Sequence, residues 1–340
     1  MKYIYYIAAC CLAVTCVFTT GCDLMSKDAK SLANDTTLSL EAREWSKKID
    51  EYPDNVNYYT QRAKVFLSDK NIDLAIDDYK SAIDLDSDNP SHHYSLGDAL
   101  FANDQTTLAL EEYKAAENIN PNDVIAVFKH AQFLYFVRQF DKSKIKFGKL
   151  LNLNPQHAEG TFFSGMLYKE QGDTAAAISF FMQTIALVGS DYNSSMQLAN
   201  IYDVQGKSAE AEQYYEKAVN IDPTSDEAFY ARGLFYQKKG KNSEAMKDYQ
   251  QTIDLNSTHY FAYYNAGNIL AEQGNYAKAI DHFEICIRVK DDFAKAYNRI
   301  GQCFELLGKQ EIAIENYKHC LQIDPNFALA KEGLARSGNL

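Results

Sequence analysis

Histidine, cysteine and carboxylate side chains are the groups in this 340-residue chain that could perform catalysis or bind a metal. The histidines form no HExxH pair and share no short spacing with cysteine, as a metal site requires. They are His92, His93, His130, His157, His259, His282 and His319. The chain also lacks the GxSxG, Walker and GxGxxG motifs of nucleophilic and nucleotide chemistry. We therefore predict a protein that is not an enzyme and has no metal site and no cofactor.

Three of the seven cysteines lie in the C-terminal part of the chain, spaced 17 residues apart. They are Cys286, Cys303 and Cys320. This spacing is half of the repeat period described below, so Cys286 and Cys320 occupy equivalent positions in neighbouring repeats. Packed helices would hold those two about 10 Å apart, which is too far for a disulfide. We predict buried free thiols.

The charge of the chain argues against one class of partner. Lys and Arg number 34 and Asp and Glu number 46, which gives a net charge of -12. Without Lys2, the one charged residue before Cys22, the balance is 33 against 46. Because binding to phosphates requires a basic face, nucleic acid is not a predicted partner.

Residues 1–21 are predicted to be an export signal. Lys2 precedes the apolar run YIYYIAACCLAVTCVF, which is shorter than a typical membrane-spanning helix. The following Thr19-Thr20-Gly21-Cys22 resembles the lipobox of bacterial lipoproteins, in which the cysteine becomes the acylated first residue. The resemblance implies lipidation of Cys22 and a place in the bacterial cell envelope, at the inner or the outer membrane. A cleaved soluble form and an uncleaved anchor are the alternatives.

A 34-residue period runs from Val56 to Phe327 and gives eight repeats. We number the positions of each repeat as registers, with Val56 at register 1. Register 24 is always aromatic: Tyr79, Tyr113, Phe147, Phe181, Tyr215, Tyr249, Phe283 and Tyr317. Register 20 is small: Ala75, Ala109, Ser143, Ala177, Ala211, Ala245, Ala279 and Ala313. Register 8 is Ala or Gly: Ala63, Gly97, Ala131, Gly165, Ala199, Gly233, Gly267 and Gly301. The spacing predicts two helices per repeat, each with one apolar stripe.

These columns resemble the tetratricopeptide repeat family over residues 56–327. Prolines at register 32 support the same frame, because the ring ends one helix pair before the next begins: Pro53, Pro121, Pro155, Pro223 and Pro325. The resemblance implies an all-α fold, a right-handed superhelical solenoid of eight helix pairs whose first helices line a concave groove. It also implies binding to proteins or peptides.

The segments outside the repeats have predicted roles as well. Residues 22–40 are polar and aperiodic, and we predict a tether that reaches roughly 25 Å. Residues 41–55 are predicted to form an N-terminal capping half-repeat, because Trp45 falls at register 24 when the frame is extended backwards. Residues 328–340 resemble the C-terminal capping helix of the family.

Register 5 is the column that the resemblance places on the concave wall. Six consecutive repeats have a large apolar or aromatic residue there: Tyr94, Phe128, Phe162, Met196, Tyr230 and Tyr264. Register 12 adds Phe101 and Tyr135. One interpretation places these side chains in the core between repeats. The other makes them a groove that binds an extended or helical peptide, and we favour it because the core stripe is already filled without them.

Polar residues lie at register 6 of repeat seven and at registers 2 and 6 of repeat eight. Asn265, Lys295 and Arg299 resemble part of the carboxylate clamp of chaperone-binding members of the family, which implies charge-assisted binding of a peptide carboxylate. Asn200 and Asn268, both at register 9, are further candidates for contact with a peptide backbone.

These observations together predict a membrane-tethered, non-catalytic adaptor that binds protein or peptide partners in the groove, in cell-envelope assembly or secretion. The alternative is a lipoprotein that binds a glycan or another nutrient, because aromatic side chains also stack on sugars.

Overall fold

The computed structural model describes residues 32–338, in which 18 α-helices and no strands are found. The predicted export signal and the predicted lipidation site, Cys22, lie outside the described residues. The first helices of the repeats are α2 (Val56–Ser68), α4 (Pro90–Ala102), α6 (Val124–Phe136), α8 (Ala158–Glu170), α10 (Tyr192–Val204), α12 (Asp226–Lys238), α14 (Tyr260–Glu272) and α16 (Ala294–Leu306). The second helices are α3 (Ile72–Leu85), α5 (Thr106–Ile119), α7 (Phe140–Leu153), α9 (Thr174–Val188), α11 (Ser208–Ile221), α13 (Asn242–Leu255), α15 (Tyr276–Val289) and α17 (Gln310–Ile323).

One further helix lies at each end, α1 (Leu40–Glu51) and α18 (Ala328–Gly338). The predicted all-α architecture of eight helix pairs is confirmed. The chain divides into two compact units after Lys146, and this division falls within α7. Among the described residues, no helix combines the length and the apolar composition needed to cross a membrane.

Short polar side chains begin most of the first helices. The side chains of Asn55, Asp123 and Ser225 accept hydrogen bonds from backbone N–H groups in the first turns of α2, α6 and α12. His157 and His259 do the same through Nδ1 at α8 and α14. These bonds satisfy donors that a helix start leaves unpaired, so these two histidines have a structural role.

Small residues at register 8 allow the two helices of a repeat to pack closely. A Cβ atom placed on Gly165 would lie 2.8 Å from the ring of Phe181, and one on Gly267 would lie 2.7 Å from the ring of Phe283. Alanine occupies the same register in three other repeats. The register 24 ring therefore fills the space beside register 8, as the column pattern predicts.

The core of the first unit extends to the N-terminal side of the repeats. It contains Phe66, Tyr79 and Tyr113 from the helix pairs, and also Leu32 and Leu38. The predicted tether over residues 22–40 is therefore wrong for its last part, because burying these leucines fixes that stretch against the unit.

The buried apolar residues of the second unit form several clusters along its helix pairs. Its largest buried side chains include Phe181, Tyr249, Phe283 and Tyr317. Cys286, Cys303 and Cys320 are buried free thiols, as predicted. Burial raises the pKa of Cys286 to about 12, so this thiol is not a reactive group.

Candidate functional site

The register 5 side chains lie closer to the core than the sequence indicates. Phe128 in the first unit is 6% exposed and Met196 in the second is 5% exposed. The prediction that this column lines an open groove is therefore wrong for these two residues.

The half-buried members of the column in the second unit contact the aromatic ring at register 24 of their own repeat. Ring centroids are 5.7 Å apart for Phe162 and Phe181, 6.0 Å for Tyr230 and Tyr249, and 5.7 Å for Tyr264 and Phe283. The small residue at register 8 lets the register 24 ring approach the first helix, and the edge of that ring then reaches register 5. The column mainly completes the core, although each of these rings keeps an exposed portion.

In the first unit, Tyr94 is half-buried against the core. The register 12 residues belong to an aromatic cluster. Phe101 stacks on Phe136 at 6.2 Å, and Tyr135 contacts Phe136 at 5.8 Å and Phe140 at 5.9 Å. This cluster is partly exposed, which leaves Phe101 and Tyr135 as candidates for contact with a partner.

In the second unit, the first-helix residues at registers 2, 6 and 9 form a stripe that faces solvent. Residues at these spacings share one face of a helix. On α14 they are Phe261, Asn265 and Asn268, and on α16 they are Lys295, Arg299 and Gln302. Phe261 is 41% exposed and Lys295 is exposed. We call these six residues the α14–α16 stripe.

Hydrogen bonds connect the stripe across neighbouring repeats. Arg299 Nε donates to Asn268 Oδ1 at 2.7 Å, and Arg299 Nη1 donates to Gln302 Oε1 at 2.9 Å. Asn265 Nδ2 donates to the hydroxyl of Tyr230 at 3.2 Å. The predicted clamp residues are therefore brought together in part, because Arg299 is held toward Asn268 and Gln302. Lys295 makes no hydrogen bond or ion pair with any residue between 32 and 338.

Aromatic side chains surround the start of the stripe. The ring of Phe261 lies 4.2 Å from that of Tyr260 and 5.7 Å from that of Phe293. Phe293 also contacts Tyr264 at 5.2 Å. Phe261 and Phe293 were not among the predicted site residues. Register 2 would have indicated Phe261, since it precedes Asn265 by one helical turn.

Asn200 lies two repeats earlier and is exposed. Its Oδ1 accepts a hydrogen bond from the hydroxyl of Tyr215 at 2.9 Å. Register 9 therefore has an anchored amide in Asn200 and another in Asn268, whereas Leu234 at the same register between them is exposed and apolar.

Two ion pairs at equal registers were not predicted, one buried and one partly buried. Arg62 binds Asp78 through both carboxylate oxygens at 2.6 and 2.8 Å, and Arg232 binds Asp248 with both contacts at 2.8 Å. In both repeats the arginine is at register 7 and the aspartate is at register 23. An Arg 16 residues before an Asp, at the same registers in two repeats, was the available signal. These pairs join the two helices of one repeat and have no substrate-facing role.

A buried histidine network lies within the first unit. His130 Nδ1 is 2.7 Å from Glu117 Oε2, and Lys146 Nζ donates to the same oxygen at 2.6 Å. Burial lowers the pKa of His130. Within residues 32–338 no cluster of three His, Cys, Asp or Glu residues has the arrangement of a metal site.

Four family profiles match parts of the chain. One described as TPR repeat matches residues 63–104, and two described as Tetratricopeptide repeat match residues 164–228 and 294–327. The profile of anaphase-promoting complex, cyclosome, subunit 3 matches residues 204–286. No curated protein matches the chain by sequence.

The fold is similar to that of a solved structure. The C-terminal part of a TPR repeat-containing protein from Cytophaga hutchinsonii is 19% identical, with 71% of this chain and 99% of that chain covered and a TM-score of 0.61. Two crystal structures of MamA are 26% and 27% identical, cover 50% and 48% of this chain and 93% and 96% of those chains, and have TM-scores of 0.46 and 0.45.

Proposed function

The chain belongs to the tetratricopeptide repeat family, a protein-interaction scaffold, and we propose that it is a non-catalytic adaptor that binds a protein or peptide partner on the α14–α16 stripe. Stacked repeats present the first helices as an extended binding surface. The observation that carries the proposal is the stripe itself, where an exposed aromatic side chain, anchored amides and two cations lie on adjacent first helices.

These residue types suit recognition of an extended peptide. Exposed aromatic and arginine side chains concentrate binding energy at interfaces. Asn265 and Asn268 are held by Tyr230 and Arg299, so less side-chain freedom is lost on binding a peptide backbone. Phe261 provides the apolar contact at the start of the stripe.

Site-specific photocrosslinking in the native cell tests this proposal. A photoreactive amino acid at Phe261 should capture a defined protein partner. Ile312 on α17 is the matched control, because it is 40% exposed against 41% for Phe261 and lies on a second helix. Capture of the same proteins from both positions, or of none from Phe261, would contradict the stripe as a binding site.

We also propose that the protein is tethered to a membrane of the bacterial cell envelope through lipid on Cys22 and acts there in assembly or secretion. The support is the apolar run before Thr19-Thr20-Gly21-Cys22. Metabolic labelling with an alkyne fatty acid should mark the wild-type chain and leave Cys22→Ala unmarked. An unlabelled, shortened, soluble product would favour a cleaved export form, and an unlabelled full-length membrane product an uncleaved anchor.

Binding of a glycan or another nutrient is the second candidate function. The partly exposed rings of Tyr260, Phe261 and Phe293 lie within 6 Å of one another, and such rings can stack on a sugar. Co-purification from membranes discriminates between the two functions. A stoichiometric protein partner favours the adaptor, whereas its absence together with binding in a glycan array favours the second function.

A further inference from the structure

Histidine caps the start of two first helices, where five other first helices are capped by an oxygen. Those five caps are the side chains of Asn55, Asn89, Asp123, Asp191 and Ser225. At α8 and α14 the acceptor is instead Nδ1 of His157 or His259. The oxygens still accept a hydrogen bond near pH 6, whereas an imidazole nitrogen loses this capacity once it is protonated. The starts of α8 and α14 therefore depend on pH.

The cap of α14 requires the neutral form of His259. The N–H of Ala262 donates to His259 Nδ1 at 3.1 Å and also lies 3.0 Å from the backbone oxygen of His259. Since Nδ1 accepts, the hydrogen of the neutral ring is on Nε2. Protonation of Nδ1 would set two N–H groups against each other and add a positive charge at the positive end of the helix dipole. The imidazolium must therefore leave this position.

The ring of His259 also contacts a residue that supports the α14–α16 stripe. Its centroid lies 4.4 Å from that of Tyr230, and the Tyr230 hydroxyl accepts the hydrogen bond from Asn265 Nδ2. Phe261, the exposed aromatic residue of the stripe, belongs to the first turn of α14. Displacement of the His259 ring therefore affects Phe261 through the helix start and Asn265 through Tyr230.

The surroundings of His259 determine the pH at which the ring is protonated. Burial lowers the pKa of His259 from its ordinary value of 6.5, and the negative charge of Asp226 at the start of α12 opposes this shift. Burial raises the pKa of Tyr230 on α12, so its phenol is neutral here. On the side of α14, Lys290 lies 6.0 Å from the ring of Tyr260. Stability contributed by neutral His259 is present above pH 6.5 and is lost as the pH falls through the folded pKa.

We propose that His259 is a pH switch for the α14–α16 stripe. The neutral ring caps α14 and packs on Tyr230. Protonation releases the first turn of α14 and with it the position of Phe261, so the stripe binds its partner at neutral pH and releases it at acidic pH. The effect on the partner rests on the proposed function, whereas the release of the helix start does not.

Hydrogen exchange of the full chain from pH 7.5 to pH 5.0 tests the switch. Rates are converted to protection factors, which removes the intrinsic effect of pH on exchange. Protection in peptides covering residues 259–266 should fall on acidification by up to about fivefold, the ratio that corresponds to the loss of one N-cap. Protection in α12 and α13 should stay high. The midpoint should lie below pH 6.5 and coincide with the protonation of His259 followed by NMR.

Three variants separate the cap from other effects of pH. His259→Asn provides an N-cap that does not titrate, so protection of residues 259–266 should stay high at every pH. His259→Ala has no cap and should show low protection already at pH 7.5. His157→Asn is the matched control, because it makes the same change at the histidine cap of α8 and should leave the pH dependence of α14 unchanged. Circular dichroism spectra and unfolding midpoints show that each variant is folded.

The same pH dependence of α14 in the wild type and in a folded His259→Asn variant would overturn the inference. A loss of protection spread equally over α12, α13 and α14 would also overturn it, because it would indicate unfolding of the unit rather than release of one helix start.

Photocrosslinking from Phe261 in lysed cells buffered at pH 7.5 and pH 5.0 tests the effect on the partner. Capture should fall at pH 5.0 by about the same factor as the protection, and His259→Asn should abolish this fall. Capture that is equal at both pH values would contradict regulation of the stripe. If exchange in α14 changes as expected but Phe261 captures no partner at either pH, the switch is supported and the proposed adaptor function is contradicted.

Discussion

Register 15 shows how a single residue ends each first helix. Its backbone has positive φ in every repeat, at Lys70, Asp104, Arg138, Gly172, Gly206, Gly240, Gly274 and Gly308. Glycine adopts this left-handed conformation without strain, whereas a residue with a Cβ pays about 1–2 kcal/mol. The first three repeats therefore store backbone strain that the last five avoid.

Lys70→Gly should stabilise the first unit. Lys70 has φ 63° and an exposed side chain, so its replacement relieves strain without removing a buried contact. We expect the free energy of unfolding to rise by about 1 kcal/mol in urea denaturation. Lys80→Gly is the control, because Lys80 is exposed within α3 and glycine there should lower stability by about 1 kcal/mol. Destabilisation by both variants would contradict the strain argument.

At the scale of elements, the terminal helix α18 is held by close packing rather than by many large side chains. Gly333 of α18 lies against the ring of Tyr317 on α17. Arg336 adds an exposed ion pair with Glu305, which contributes little to stability on its own. The docking of α18 therefore depends on the absence of a side chain at Gly333.

Gly333→Ala should release α18 from the second unit. The new Cβ would meet the Tyr317 ring, and overpacking of this kind costs about 1–3 kcal/mol. Hydrogen exchange of α18 amides should become faster while exchange in α12 and α13 stays slow. Gly338→Ala is the matched control, since nothing lies within 4 Å of its added Cβ. Equal protection of α18 in the wild type and Gly333→Ala would contradict this prediction.

The His130 network joins three helices of the first unit, with Glu117 on α5, His130 on α6 and Lys146 on α7. Burial lowers the pKa of His130 from its ordinary value of 6.5. The unfolded chain therefore binds this proton more readily than the folded chain. Stability contributed by neutral His130 is present above pH 6.5 and is lost as the pH falls through the folded pKa.

Thermal unfolding between pH 5 and pH 7.5 measures this effect. The wild type should lose stability on acidification, with a contribution from this one group of at most about 1.4 kcal/mol per pH unit. His130→Gln should reduce that slope, whereas His319→Gln, at an exposed position, should preserve it. A slope unchanged in His130→Gln would contradict the assignment to this network.

At the scale of the whole molecule, the net charge of -12 limits which partners can approach. A partner with acidic groups is repelled by the average field and requires local cations to bind. Lys295 and Arg299 on α16 provide such a local site. We therefore expect acidic groups of a partner to contact Lys295 and Arg299 rather than the acidic surface in general.

The sequence by itself determined the repeat frame and the ends of the helices. Repeat-to-repeat columns such as Gly301 and Tyr317 depend on local helix geometry and on contacts within one helix pair, and both recur every 34 residues. For the same reason, the buried state of Cys286 and Cys320 followed from their registers.

The tertiary structure alone decided the surroundings of individual side chains. Helical angles separate register 5 from the core stripe, yet Phe128 and Met196 are buried. In the second unit, the register 24 rings of the second helices contact Phe162, Tyr230 and Tyr264 at register 5. Arg299 was predicted to belong to a clamp with Asn265 and Lys295, yet hydrogen bonds to Asn268 of the neighbouring repeat and to Gln302 hold it beside a cavity. Such placements depend on side-chain atoms of another helix. A repeat period along the chain does not specify where those atoms lie in space.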